Sequence, residues 1–166
     1  SSVHVITGHK RKGMEYDIDF EALVHTKGTL VFLMGITAME DICSGLMKAG
    51  MDPDMPAAVL QKGTTADQKR VVATVSTLKE EVERQGIETP AIIVVGKVCK
   101  LAAEFGWYEK LSLAGCKVLV TRPKGRSSRT ADELRRRGAE VLELPSIRTV
   151  ALDEQTELWQ AFDRMD

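Results

Sequence analysis

The chain has 166 residues, a formal net charge of -1 and three cysteines. That length holds one ample domain or two small ones, and a charge so close to neutral gives no sign of a general nucleic-acid or membrane-surface protein. No run is long enough to span a bilayer, the start carries no secretory signal pattern, and Cys43, Cys99 and Cys116 form no Cys-x-x-Cys pair, so neither a zinc site nor a disulfide framework is expected and a reducing cytoplasm fits best.

The first residue is Ser1, not Met, and Val3-His-Val-Ile-Thr7 already reads as a β-branched strand. The chain is therefore expected to begin inside a longer protein. Gly8 ends the strand, and His9-Lys-Arg-Lys-Gly13 makes a basic loop. There His9 is a substrate contact or a solvated residue, and Lys10, Arg11 and Lys12 are an anion site or a solvated run. Asp19 can cap a short helix through Phe20 and Leu23. The chain is organised around the next stretch, Thr29-Leu-Val-Phe-Leu-Met-Gly-Ile-Thr37. Its apolar run, Leu30 to Met34, suits a strand buried on both faces. Gly35 breaks the run, and Thr37-Ala-Met-Glu40 has capping-box spacing. A helix is predicted from Thr37, burying Ala38, Ile42, Leu46 and Ala49 and ending at Gly50. The backbone of Met34 and Gly35 thus falls at the carboxyl end of a sheet, where ligands of open α/β sheets sit.

Ala57 to Leu60 reads as a second short buried strand, followed by Gln61-Lys-Gly-Thr-Thr65. Gly63 gives that loop conformational freedom. Thr65-Ala-Asp-Gln68 again has capping-box spacing and predicts a helix that buries Val71, Val75, Leu78 and Val82 and stops at Gly86. A Gly-Thr-Thr loop opening a helix suits a phosphate, but the Walker lysine pattern is absent. Ala91 leads into a third buried strand, Ile92 to Val95. Val98, Leu101 and Phe105 then mark a helical stripe, with Trp107 and Tyr108 as a ligand-stacking pair or a closure of the core. Leu111 to Gly115 reads as a linker. Cys116 to Thr121, a helix from Thr130 to Gly138 and Ala139 to Leu144 form a strand-helix-strand unit, and one more helix is expected between Asp153 and Asp166. The run from Gly115 to Gly138 holds eight Lys or Arg against two Asp or Glu, and Arg135 to Arg137 are an anion site or a solvated helix face. The second unit lacks a Gly-x-Gly-x-x-Gly loop, and two strands alone look truncated.

Four segments occur together in order and spacing: Val5-Ile-Thr-Gly-His9, Thr29-Leu-Val-Phe-Leu-Met-Gly35, Pro56-Ala-Ala-Val-Leu-Gln-Lys-Gly-Thr64 and Pro90-Ala-Ile-Ile-Val-Val-Gly96. They resemble the carboxyl-terminal half of the tetrapyrrole methylases of the uroporphyrinogen-III C-methyltransferase type. The resemblance covers residues 1–110 and implies a mixed-sheet αβα domain. Residues 111–166 resemble the start of uroporphyrinogen-III synthase, through Gly115-Cys-Lys-Val-Leu-Val-Thr-Arg-Pro123 and Gly138-Ala-Glu-Val-Leu-Glu-Leu-Pro145. The resemblance implies a fusion cut in both halves. It also implies an S-adenosylmethionine-dependent methylation of uroporphyrinogen III to precorrin-2, toward sirohaem and cobalamin. On this reading Met34, Gly35, Gly63 and Ala91 contact S-adenosylmethionine or S-adenosylhomocysteine. His9, Lys10, Arg11 and Lys12 then face the carboxylates of the tetrapyrrole.

No catalytic residue is assigned, because the family's acid-base residues and glycine-rich motif match nothing in this chain and are expected upstream. The resemblance further implies an absent amino-terminal methylase domain and a homodimer through the methylase part. The fragment alone is expected to be inactive. The rival readings are a methylase of another substrate within the same superfamily, such as a later corrin-ring enzyme or a diphthine synthase, and a non-catalytic nucleotide-binding or dimerisation module.

Overall fold

The computed structural model describes residues 2–9, 17–123, 127–147, 150 and 156–165. A five-stranded sheet in the order β1-β2-β5-β3-β4 forms its centre. The strands are β1 (Val3–Thr7), β2 (Thr29–Leu33), β3 (Pro56–Gln61), β4 (Lys69–Thr74) and β5 (Ala91–Val95). β1 and β2 are parallel, and β5 runs antiparallel to both of its neighbours, β2 and β3. The sheet is thus mixed, as expected.

One face of the sheet is the core. Leu30, Phe32, Val59, Ile93 and Val95 alternate inward and meet Ile42, Leu46, Leu78 and Val82 from the helices above. Phe32, Ile42, Leu46, Leu78 and Ile93 are wholly buried, each a side chain whose removal from water stabilises the fold by about 1.5–3 kcal/mol. The helices on this face are α1 (Phe20–His25), α2 (Met39–Lys48) and α3 (Leu78–Arg84). Asp19 caps α1 as its sequence suggests, its carboxylate accepting from the Ala22 amide at 2.9 Å. On the other face, residues Lys97–Leu101 in a tight turn and α4 (Ala102–Phe105) lie over β3 and β4. Arg70 fixes them there by donating to the Ala102 carbonyl at 2.8 Å.

Three expectations are corrected. The single helix predicted from Thr65 to Gly86 is a strand, β4, followed by the shorter α3. All four residues chosen for its buried face are buried, but Val71 reaches the core from a strand and Val75 from a turn. Gln68 does reach back as a capping residue would, accepting from the Thr64 amide at 2.6 Å. It closes the β3–β4 hairpin turn instead of a helix, and the β-branched Val71 and Val72 favour the strand. Secondly, the stretch from Thr37 starts as a tight turn, Ile36–Ala38, with no side-chain cap, and α2 begins at Met39. Its buried face includes Met39 and Cys43. Thirdly, Val98, Leu101 and Phe105 are exposed, whereas Cys99 is buried; the turn's tight winding carries that one side chain under the sheet.

β6 (Lys117–Val120) and β7 (Glu140–Glu143) pair in parallel, connected through α5 (Ser127–Arg136). Ala131, Val120 and Ala139 are its buried residues. This unit is docked: the Tyr108 hydroxyl donates to the Gly138 carbonyl at 3.0 Å, and the Leu113 amide donates to the Arg137 carbonyl at 2.8 Å. The stretch expected as a plain linker is therefore a packed turn. Tyr108 is buried at this docking contact while its neighbour Trp107 stays 63% exposed. A last helix, α6, covers Thr156–Phe162. No helix among the described residues is long and apolar enough to cross a membrane.

Candidate functional site

Strand register brings the predicted residues to one edge of the sheet. The last full crosswise row is Thr7, Leu33, Ile92, Leu60 and Arg70. One step beyond it stand Gly8, Met34, Ala91 and Gln61. They occupy the carboxyl ends of β1, β2 and β3 and the amino end of the reversed β5. With about 4.8 Å between strands, the edge from Gly8 to Gln61 spans roughly 14 Å. Two backbone bonds tie its turns together: the Gly8 amide donates to Leu33 at 2.7 Å, and the Lys62 amide donates to Pro90 at 3.1 Å.

This edge has an unusual backbone. Met34, Lys62 and Thr64 adopt left-handed angles, φ 55, 45 and 63, at a cost of roughly 1–2 kcal/mol for a residue with a side chain. Such strain persists where the surroundings over-determine it, and it clusters at ligand sites. Gly8 and Gly35 press together: a Cβ on Gly8 would lie 2.7 Å from the Gly35 Cα, and one on Gly35 would lie 2.9 Å from the Ile42 Cδ1. Only glycine allows this approach, so the wall there is main chain with no side chain in front of it.

Of the predicted residues, Met34, Gly35, Gly63 and Ala91 all belong to this edge. Met34 is 60% exposed, Gly35 is buried, and Gly63 and Ala91 are half-buried. His9 follows Gly8 at the same end and is exposed. Lys10, Arg11 and Lys12 lie outside the described residues. Gly8, Lys62, Thr64 and Gln61 belong to the edge but are not among the predicted site residues; for the last three the sequence signal is the Gln61-Lys-Gly-Thr64 pattern. Gln61 is the buried polar side chain among the described residues, 7% exposed, and its Oε1 has no hydrogen-bond partner.

The chemistry of the edge is that of a binding wall. It offers small side chains, exposed main chain and a methionine, which suits a flat, partly apolar ligand held by backbone hydrogen bonds. No group of three His, Cys, Asp or Glu side chains gathers among the described residues in a way that would hold a metal. Cys43 is no nucleophile, since burial pushes its thiol up to about 11. The arginines of α5 are engaged with carboxylates: Arg135 with Glu143 at 2.8 Å, Arg136 with Glu133 at 3.0 Å and Arg137 with Glu133 at 2.8 Å.

The second unit touches the loop of this site. Lys117 of β6 pairs with Asp67 at 2.8 Å, and the Ala66 amide donates to Glu140 of β7 at 3.0 Å. Asp67 also lies 3.6 Å from Lys62. The Lys117 ammonium, hydrogen-bonded to Asp67, holds that carboxyl below its usual range.

Residues 1–79 match the model of the family described as tetrapyrrole (corrin/porphyrin) methylases. A "Porphyrin biosynthesis protein HemD" of Ruminiclostridium josui is 44% identical over 99% of this chain, which spans 33% of that relative. A "Uroporphyrinogen-III C-methyltransferase" of Bacillus subtilis is 34% identical over 90% of the chain, which spans 31% of it. The chain thus covers about a third of the length of these curated relatives. Among solved structures, the uroporphyrin-III C-methyltransferase of Thermus thermophilus, determined with S-adenosyl homocysteine, matches 60% of this chain and 43% of its own, at 25% identity and a TM-score of 0.51. Sequence similarity to the tetrapyrrole methylases over residues 1–79, which hold the strained positions Met34, Lys62 and Thr64, stands beside an α/β fold shared with a solved methyltransferase of that kind.

Proposed function

We propose that the complete protein is an S-adenosylmethionine-dependent C-methyltransferase that acts on uroporphyrinogen III and yields precorrin-2. The observation that carries this reading is the single edge formed by Met34, Gly35, Gly63 and Ala91. The four residues come from three separate turns, and register makes them neighbours. The cofactor supplies a methyl group already activated on a sulfonium, which leaves as a neutral thioether when the carbon nucleophile takes the methyl. The task of this chain is then to bind and orient. Main chain at Gly35 and Gly63 holds the cofactor, Met34 flanks it, and Ala91 leaves room beside it. With the donor activated, alignment of the two reacting centres supplies much of the rate. His9 and the basic run Lys10 to Lys12 are the proposed substrate-binding residues, because a cationic segment would attract the substrate's eight carboxylates. The proton lost from the methylated ring goes to a group outside this chain, so residues 1–166 alone are inactive.

A further reading concerns the second unit, which we place as the beginning of a uroporphyrinogen-III synthase domain. Alignment across both segments with the Ruminiclostridium josui relative, over 99% of the chain, supports it. The test is turnover of uroporphyrinogen III with S-adenosylmethionine by the complete protein, with product identification by mass spectrometry. A dimethylated product is expected. Transfer to a different tetrapyrrole only, or no binding of S-adenosylhomocysteine by calorimetry, would overturn the assignment. Activity of the isolated 166 residues equal to that of the complete protein would refute the split of labour.

A further inference from the structure

A buried polar atom without a partner costs free energy that folding does not recover. Among the described residues one buried side-chain atom is in that position, Gln61 Oε1. Gln61 is the last residue of β3 and faces inward in line with Ala57 and Val59. Across the sheet it pairs with Ala91, and along the chain it adjoins the strained Lys62-Gly63-Thr64 turn. Everywhere else in the core this inward column is apolar. A methionine or leucine would pack there without an orphaned group. The orphan thus sits at the binding edge and not at a random point in the core.

We propose that Gln61 is a specificity-determining residue that reads the adenine of the cofactor, its Oε1 accepting a hydrogen bond from the exocyclic amino group. The inference rests on the cofactor reading given above and adds the group that recognises the base. A glutamine amide matches the amino edge of adenine, presenting an acceptor to the amine and a donor to the adjacent ring nitrogen. The other donors on the same cofactor are its two ribose hydroxyls, which the ligand comparison below leaves unchanged, and its α-ammonium. The inward neighbours of Gln61 along β3 and β5, Val59, Ala57 and Ile93, are apolar, and the residue paired with it on β4 is the cationic Lys69. The nearest carboxylate along the chain, Asp67, is engaged with Lys117 and Lys62. An ammonium there would be buried without a counter-charge, whereas a neutral aromatic amine would not.

The test uses the complete protein and two ligands, S-adenosylhomocysteine and its purine-riboside analogue, whose base carries hydrogen in place of the amine. Wild type is expected to bind the adenosyl compound at least about tenfold more tightly, because the analogue has no amine to donate and leaves Oε1 unpaired. Gln61→Met should shrink that preference to near unity, weaken S-adenosylhomocysteine binding and raise the thermal midpoint of the ligand-free protein. Equal binding of both ligands by wild type would overturn the assignment without any variant having to fold. A Gln61→Met protein that keeps the full preference would overturn it as well, and both results leave the cofactor reading intact. Failure of wild type to bind either ligand would instead bring down the cofactor reading and this one with it.

Discussion

The two ends of the five-stranded sheet use their backbone in opposite ways. At the end where β2 and β3 finish, three of the four non-glycine residues with positive φ among those described, Met34, Lys62 and Thr64, sit in strained turns. At the other end the left-handed positions fall mostly to glycines, Gly50 and Gly96, with Lys27 as the exception. That end holds a cavity of about 790 Å³, lined by residues such as Val3, Leu23, Val24, Met51, Met55 and Val98. Volume and strain therefore point to different places. A glycine terminating a helix costs nothing unusual, whereas a methionine in the same conformation must be held by its surroundings. The strained end is the one matched by the sequence motifs, so the proposed site and the cavity lie at opposite ends of the sheet.

Substitutions can separate the two ends. The largest effect is expected at Ile42, whose Cδ1 supports Gly8 and Gly35 from inside the core. Ile42→Ala should lower stability by about 2–5 kcal/mol in denaturant melts and weaken S-adenosylhomocysteine binding by the complete protein. Gly8→Ala comes next. Its new methyl meets backbone, which cannot swing aside, so a loss of about 1–3 kcal/mol is expected together with impaired binding. Gly50→Ala is the control at the cavity end. Its φ of 91 strains an alanine, but nothing lies within 4 Å of the new Cβ. About 1 kcal/mol of stability should be lost with binding unchanged. If Gly50→Ala impaired binding as much as Gly8→Ala, the contrast between the two ends would fail.

Met34→Gly should act in the opposite direction on the two quantities. Relief of the left-handed strain raises stability by roughly 0.5–1 kcal/mol, while removal of a side chain that flanks the ligand weakens its binding. Stability read by melting and affinity read by calorimetry should therefore move apart. Parallel losses in both would mean that Met34 is held by packing alone.

Much of this edge could be read from the sequence, for identifiable reasons. A continuous apolar run cut by Gly35 specifies a buried strand and its end, and the chain has three such strands, which fixed Met34, Gly35 and Ala91 at strand termini. Register made them neighbours, and register depends on pairing partners far away in the chain. Gln61 was passed over because an inward polar residue at a strand's end looks like a loop residue until burial is known. Val71 and Val75 misled in a different way. Their spacing fits a helix as well as it fits one strand residue and one turn residue feeding the same core, and only the hairpin with β3 decides between them. The stripe at Val98, Leu101 and Phe105 has helical spacing, and in a tight turn Val98 and Leu101, three residues apart, do share a side; that side faces outward, and Cys99 is the one turned in.

The second unit sharpens the comparison further, because the described ion pair and hydrogen bond from its strands reach the strained end. Lys117 and Glu140 grip the loop at Asp67 and Ala66, just past Gly63. Asp67 has its carboxyl depressed chiefly by the hydrogen bond from Lys117. A group depressed in the folded state contributes above its unfolded value, about 3.9, and loses that contribution as pH falls through the lowered folded value. The grip should thus be constant from neutral pH through the ordinary carboxylate range and be released only in more acid solution, where Asp67 takes up a proton. The pair is exposed, so its effect on global stability should be too small to rank beside the substitutions above. Local exchange is the more sensitive reading. Lys117→Ala should speed exchange of the Ala66 amide by a few-fold at neutral pH, and the amide shifts of wild type and variant should converge in acid. Unchanged exchange in Lys117→Ala would mean that the loop holds its shape by its own bonds, Gln68 to the Thr64 amide above all. The strained end of the sheet would then owe nothing to the unit docked beside it.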